Sequence, residues 1–317
     1  MKAKRLLSFL SVLPLVSCTS NFVLESKVFY FDTMIDIKLY ENNNYFVQFA
    51  KSTFEWIDTL SDNYHERDKE NVYSINHSNQ EIEVEFYLHD LLEKAVTVSS
   101  QGATYFNPLC GSLSQLWKDK LASNQIPSEE EINTELTKMN NSSLLFPSDS
   151  TVKRTGDATI DLGGIAKGYA LDVIRDAYEQ NKIKKYLINA GNSSILLGKK
   201  NTNDGFFTIG LNDLPKAYLK LKECFVSTSS KSVQGVTIDG VTYSHIVNPV
   251  NGSAINLNDA VIVVSDSGYL GDALSTSMMM NTIEEIQEIE ENAGVKTIVI
   301  RNGQKVYSHK DLRIYYH

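Results

Sequence analysis

The run Asp161-Leu-Gly-Gly-Ile-Ala-Lys-Gly-Tyr-Ala-Leu-Asp172 gathers two carboxylates, a lysine and three glycines around a predicted helix start. Gly163, Gly164 and Gly168 leave the main chain bare for close approach of a ligand. The first amides of a helix and the positive end of its dipole attract an anion such as a phosphate, and Lys167 adds a mobile cation. The same glycines also suit nothing more than close packing, so both uses stay open here. In Asp272-Ala-Leu-Ser-Thr276 a carboxylate and a hydroxyl stand at i and i+4, on one helix face. Such oxygens suit a hard cation, because magnesium takes oxygen ligands and keeps positions for substrate phosphates. The plainer reading is an aspartate serving its own helix N-terminus beside a threonine packed by its methyl. His245, in Tyr243-Ser-His-Ile-Val-Asn-Pro249, could take a proton or hold a phosphate, or be an ordinary surface or core residue.

These residues need elements to hold them. Ile165, Tyr169, Val173 and Ala177 recur every fourth residue, with Ala170 and Ile174 widening the stripe, and predict the helix after the glycine run. Alternation of Ile35, Ile37 and Leu39 predicts a strand over 29–40, and helices follow over 45–60 and 85–100. The polar segment 123–150, with a helix start at Pro127-Ser128-Glu129, reads as peripheral. Further strands are predicted at 186–189, 206–210, 219–226 and 259–265. Asp239-Gly240 marks a hairpin between 236–238 and 241–247, and Asn302-Gly303 one between 297–301 and 304–308. Helices fit 272–280, where Met278, Met279 and Met280 read as core filling, and 282–292, whose glutamates form a solvated face and which ends at Gly294. Strands and helices mix without regular alternation, which favours an α+β fold of mixed, mainly antiparallel sheets with flanking helices. No repeat of solenoid period is evident.

The chain has 317 residues, 42% of them hydrophobic, and a formal charge of −9. Removing a leader with Lys2, Lys4 and Arg5 would bring the charge to −12, which argues against a nucleic-acid surface. Residues 1–18 read as a secretion signal, with an apolar stretch too short to span a membrane. Its end, Leu15-Val16-Ser17-Cys18, resembles the bacterial lipobox, which implies lipidation of Cys18 and an extracytoplasmic protein held to the membrane by that anchor alone. Residues 19–28 then read as a tether, and 29–317 as the folded body, one domain or two intertwined subdomains. Cys110 and Cys224 remain, with no disulfide inferable between them and no zinc spacing.

Taken together and in order, the pieces resemble the ApbE family. They are Phe31-Asp32-Thr33, Tyr73-Ser-Ile-Asn76, the stretch from Gly102 through Phe106-Asn107-Pro108 to Trp117, the glycine run, His245-Ile-Val-Asn-Pro249 and Asp272 to Thr276. The resemblance spans about 29–300 and implies an ApbE-like, T-fold-related body. It also implies a magnesium-dependent FAD:protein FMN transferase, which splits the FAD pyrophosphate, attaches FMN to a threonine or serine of an extracytoplasmic flavoprotein and releases AMP. Carried across, it assigns Asp272, Thr276 and the carbonyl of Gly164 to the metal, Asp161 and Lys167 to FAD, and Phe31, Tyr105, Phe106, Asn107 and the backbone near Val247 to the same pocket. His245 would stand beside the reacting phosphate and take the acceptor's proton.

The chain departs from the family pattern at three places. Asn107 stands where the family usually has aspartate, and Asn189-Ala-Gly191-Asn192 replaces Asn-x-Gly-Gly. Where an aromatic ring stacks on the flavin in many members this chain offers Asn63, which would lose the contact, or, through a one-residue insertion, Tyr64, which would keep it. Two other readings of the same residues are an FAD pyrophosphatase that gives free FMN and AMP, and a non-catalytic flavin-binding lipoprotein.

Overall fold

The computed structural model describes residues 22–232 and 235–317. The leader and Cys18 lie outside the described residues. In chain order a hairpin, β1 (Leu24–Tyr30) and β2 (Thr33–Leu39), leads to helices α1 (Asn44–Ser61) and α2 (Val72–Asn76). Next come β3 (Ile82–Glu83), α3 (Phe86–Ser100), α4 (Gly111–Ala122), α5 (Glu129–Asn140), β4 (Ser143–Ser148) and β5 (Thr151–Thr155). Helix α6 (Ala166–Gln180) precedes β6 (Tyr186–Ala190), β7 (Ser194–Leu197), β8 (Phe207–Gly210), β9 (Ala217–Leu221) and β10 (Cys224–Ser230). A small hairpin, β11 (Val236–Ile238) and β12 (Val241–Tyr243), is followed by β13 (Ala260–Ser265), α7 (Gly268–Ser277) and α8 (Ile283–Ala293). The chain ends through β14 (Lys296–Arg301), β15 (Gln304–Ser308) and β16 (Tyr315–Tyr316).

Eight strands form the central antiparallel sheet in the order β1-β2-β6-β7-β10-β13-β14-β15. Its middle strands are covered on both faces, so β13 is an unbroken buried run rather than an alternating one. Val261 and Val263 point into the core shared with α1, α3, α6 and α7. Ala260, Ile262 and Val264 pack against the three-stranded sheet β16-β9-β8. A third cluster joins Leu113, Trp117 and Leu121 of α4 to Tyr243, Val247 and Ala254. Trp117 stacks on Tyr243 and donates its indole N–H to the carbonyl of Gly252 at 2.8 Å. The expected α+β class with mainly antiparallel sheets and flanking helices is what the chain adopts.

Several boundaries differ from expectation. The tether expected over 19–28 gives way to β1 at Leu24, which buries one face against α1. The single strand expected over 29–40 is a hairpin, turning at Phe31 and Asp32 with φ of 52° and 54°. A two-residue turn of this hand favours Asn or Gly, and neither is present to signal it. The strand expected over 219–226 is two strands broken before Cys224, with Glu223 at φ 51°. The segment 241–247 stays extended only to Tyr243. Helix α7 begins at Gly268, four residues before the expected start. The segment 123–150 is mostly exposed and starts a helix at Ser128, both as expected; it forms α5, capped by the reciprocal Ser128 and Glu131 bonds, and strand β4. Cys110 and Cys224 are free thiols, each pushed up to about 12 by burial.

Candidate functional site

Helices α6 and α7 cross with their backbones in contact. A Cβ on Gly168 would lie 2.1 Å from the carbonyl oxygen of Gly268, and a Cβ on Gly268 would lie 2.3 Å from that of Gly168. Only glycine fits at either position, so part of the glycine run does serve packing. That packing has a chemical result. The Gly168 amide, one of the unsatisfied donors in the first turn of α6, donates to Asp272 Oδ2 at 2.7 Å. Asp272 sits on the second turn of α7 and is 6% exposed.

Two serines complete its surroundings. Ser194 Oγ, at the start of β7, lies 2.9 and 2.8 Å from the two carboxylate oxygens, and Ser227 Oγ, on β10, donates to Oδ1 at 2.5 Å. Burial raises the Asp272 carboxyl to about 6, against the opposing field of Lys167 and the three donors. Thr276, one turn on, donates its hydroxyl to the Asp272 carbonyl at 3.1 Å and stands 3.3 Å from Ser229 Oγ. A Cβ on Gly164 would meet Thr276 Oγ1 at 3.3 Å and Phe106 at 3.2 Å. The glycine run therefore brings its main chain directly onto the hydroxyl face of α7.

The flanking loops are pinned to the same place. The Tyr105 amide donates to Ser277 Oγ at 3.1 Å, and the Asp161 amide to the carbonyl of Pro108 at 2.9 Å. Asn76 pairs with the main chain of Ile160 in both directions, at 2.7 and 3.1 Å. Buried Arg154 gathers the carbonyls of Ile75, Asn76, Gly156 and Ala158 behind it. Asp161 Oδ1 accepts from the Gly163 amide at 2.8 Å, and Asn107 Oδ1 from Leu109 at 2.9 Å, so each has one oxygen committed to its own turn.

Lys167 links the carboxylate to His245, since its charge lowers the pKa of both groups. His245 is accessible at its loop surface, while its flanking residues Ser244 and Ile246 are buried. Partial desolvation first, and Lys167 second, hold the ring below its ordinary value, hence neutral near pH 7.

Phe31 stands at the β1–β2 turn, its amide donating to Asp58 at 2.9 Å and its ring edge-on to Phe54 at 6.4 Å. Its neighbour Thr33 packs on Gly191 of the turn leading to Ser194, which places Phe31 at the same end of the sheet. Val247 is buried in the third cluster, so only its main chain is free to face a ligand. Asn63 is half-buried after α1, and no contact ties it to the Asp272 group. Tyr64 is exposed, with Lys118 5.0 Å above its ring and donating to its hydroxyl at 3.3 Å. Sequence reasoning missed Ser194 at the start of β7, Ser227 in the middle of β10 and Ser277 at the end of α7, because a lone serine in such positions carries no signal of its own.

A separate hollow of about 340 Å³ lies beside the C-terminal half of α6. In it burial holds the Cys224 thiol protonated, and Arg175 is engaged by Asp176 and the Asp266 carbonyl. Among the described residues no three His, Cys, Asp or Glu side chains cluster as a metal set, and no helix is long and apolar enough to cross a membrane.

The ApbE family profile matches residues 31–299. A Klebsiella pneumoniae protein named FAD:protein FMN transferase is 27% identical, over 69% of this chain and 71% of its own length. A Treponema pallidum protein of the same name is 24% identical, over 69% and 67%. The crystal structure of an ApbE protein from Thermotoga maritima superposes with a TM-score of 0.79 at 25% identity, covering 91% of this chain and 97% of that one. The flavin transferase ApbE from Vibrio cholerae gives 0.72 at 19% identity, covering 93% and 97%.

Proposed function

The chain belongs to the ApbE family, and on that footing we propose that it is a magnesium-dependent FAD:protein FMN transferase. In this reading it cleaves the FAD pyrophosphate, attaches FMN to a threonine or serine of an extracytoplasmic flavoprotein and releases AMP. The observation that carries the reading is the buried Asp272 carboxylate, beside the Thr276 hydroxyl and the bare main chain of Gly164.

These residues fit a magnesium ion. The donors are all oxygen, as a hard cation requires. Gly168, Ser227 and the single shared proton of Ser194 leave the carboxylate one of its roughly four acceptor sites. Asp272, Thr276 and the Gly164 carbonyl would hold the ion, which when bound neutralises phosphate charge as a Lewis acid, worth several kcal/mol in the transition state.

The chain's own groups supply the rest. Lys167 attracts the dinucleotide's phosphates, while Asp161, Phe31, Asn63, Tyr105, Phe106, Asn107 and the backbone near Val247 line its site. The acceptor hydroxyl attacks the FMN-side phosphorus, the bridging P–O bond breaks, and AMP carries off the bridging oxygen. Neutral His245 receives the hydroxyl proton. For the leader we propose secretion and lipidation at Cys18, which would hold the enzyme on the extracytoplasmic face of a bacterial membrane.

The test is to incubate the protein with FAD and magnesium, with and without a threonine-bearing acceptor domain, and to follow AMP and acceptor mass. AMP release with an acceptor mass gain of one FMN is expected. AMP without labelling would replace the transferase by an FAD pyrophosphatase, and no product would leave a flavin-binding protein. Asp272→Ala should lower magnesium-dependent AMP release about a thousand-fold, the equivalent of roughly 4 kcal/mol. Unchanged turnover would remove Asp272 from the site.

A further inference from the structure

Two segments 100 positions apart, Gly168-Tyr-Ala-Leu-Asp172 and Gly268-Tyr-Leu-Gly-Asp272, begin Gly-Tyr and end in aspartate. They lie at corresponding places near the starts of α6 and α7 and meet at the glycine crossing. Neither helix caps itself. Ile165, at the N-cap of α6, has no side chain to do so, and Ser267, at the N-cap of α7, makes no such bond. Each helix is capped by the other's aspartate instead. Asp272 of α7 accepts from the Gly168 amide at 2.7 Å, and Asp172 of α6 accepts from the Tyr269 amide at 2.8 Å.

Asp172 does more than satisfy one amide. Ser267 turns its hydroxyl toward Asp172 Oδ2 at 3.4 Å, and Arg175, one turn further along α6, stands 3.4 Å from Oδ1 while donating to the Asp266 carbonyl. Two neighbouring side chains of α6 thus hold the main chain at 266 and 269 and the Ser267 hydroxyl, the entry to α7. That helix carries Asp272 and Thr276, and the turn before α6 carries Gly164. Magnesium demands near-ideal geometry at about 2.0–2.1 Å, so the relative placement of α6 and α7 decides whether these oxygens converge.

We propose that Asp172 is a positioning residue, which sets α7 against the glycine run so that Asp272, Thr276 and Gly164 meet at one ion. The proposal rests on the metal–dinucleotide reading of that site given above. Asp172 touches neither substrate nor metal and acts through the N-terminal amides of α7.

The test uses the full chain with Asp172→Ala and Asp172→Asn, and Asp172→Glu as the variant that keeps the charge but changes its reach. Mn²⁺ binding is read by electron paramagnetic resonance in the presence of FAD, alongside FAD affinity without metal and the magnesium dependence of AMP release. Weakening of outer partners commonly costs about 10–100-fold in metal affinity. Asp172→Ala is expected to bind Mn²⁺ at least about tenfold more weakly, with metal-free FAD affinity within about twofold of wild type. Asp172→Asn keeps an oxygen for the Tyr269 amide and should recover most of the loss, whereas Asp172→Glu should not. Should the alanine variant not fold, the Asn and Glu pair decides the matter. Wild-type Mn²⁺ affinity in Asp172→Ala or Asp172→Glu, or an Asn variant no better than Glu, overturns the proposal. A wild-type chain that binds Mn²⁺ through Asp272 yet leaves FAD intact would sink the transferase reading alone, and the 172 series would still decide this one.

Discussion

Asp172 and Asp272 perform the same structural task in opposite halves of one helix crossing, yet they are neutralised differently. Burial raises both carboxyls above the ordinary range. Asp172 has Arg175 at ion-pair distance, a full charge supplied by its own helix. Asp272 has none among the described residues; its partners are an amide and two hydroxyls, and Lys167 acts only through its field. Neutral donors lower the cost of ionisation without cancelling the charge, and hydroxyls can turn. The half with serines therefore keeps an appetite for an external cation, while the half with arginine has a counter-charge at 3.4 Å, although Asp172 Oδ1 itself accepts no hydrogen bond. A near-symmetric scaffold yields one structural and one chemical aspartate through the strand residues packed beneath it.

The crossing itself is the most sensitive point of this comparison. Gly168→Ala and Gly268→Ala would each place a methyl onto a main-chain carbonyl, which cannot rotate away as a side chain can. Each should destabilise the protein by about 3 kcal/mol, at or above the upper end for overpacking. Gly163→Ala provides the contrast, since its Cβ meets only the Asp161 carboxylate at 3.1 Å, and it should cost under about 1 kcal/mol. Urea unfolding of the three variants checks this. If all three lose equally, the glycine run is not divided between packing at 168 and ligand access at 163 and 164.

Acid titration separates the two aspartates more gently. The Asp272 carboxyl in the metal-free fold is raised from 3.8 to about 6. A raised folded-state value means that its contribution to stability is fully present below pH 3.8 and is lost as pH climbs through about 6. The loss is on the order of 3 kcal/mol at pH 7. Without added metal, Tm should therefore fall between pH 4 and 7, and Asp272→Asn should flatten that slope. Asp172 is raised in the same direction but opposed by Arg175, so Asp172→Asn should flatten it less. A steeper dependence on Asp172 would reverse the assignment of which aspartate lacks a counter-charge.

Much of this site was legible before the structure, and what was hidden has physical causes. The i, i+4 spacing of Asp272 and Thr276 predicts their shared face correctly. The plainer reading, an aspartate at its own helix start, fails because α7 begins at Gly268 and leaves Asp272 in its second turn. The packing role of Gly168 needed Gly268 in view, and that partner is far away in sequence. Ser194 and Ser227 stayed hidden because a serine in a strand looks like a poor strand former, and only strand pairing brings β7 beside β10 beneath α7. The five-residue Gly-Tyr-to-Asp repeat is too short to stand out by periodicity. It acquires meaning once the two helices are seen capping each other.

The two tyrosines of that repeat give the finest test. Tyr169 is 2% exposed and donates its hydroxyl to Asp90 at 2.7 Å, while Tyr269 presents its ring face to Lys94, 5.6 Å away. Asp90 and Lys94 pair with each other on α3, so one ion pair serves both rings by different chemistry. Tyr169→Phe removes a hydrogen bond to a charged group and should cost about 1–2 kcal/mol, discounted because Asp90 keeps some contact with water. Tyr269→Phe retains the ring and its cation contact and should stay within about 0.5 kcal/mol of wild type. Equal losses in urea midpoint would mean that the Tyr269 hydroxyl also serves the fold, and that the two halves differ less at their tyrosines than at their aspartates.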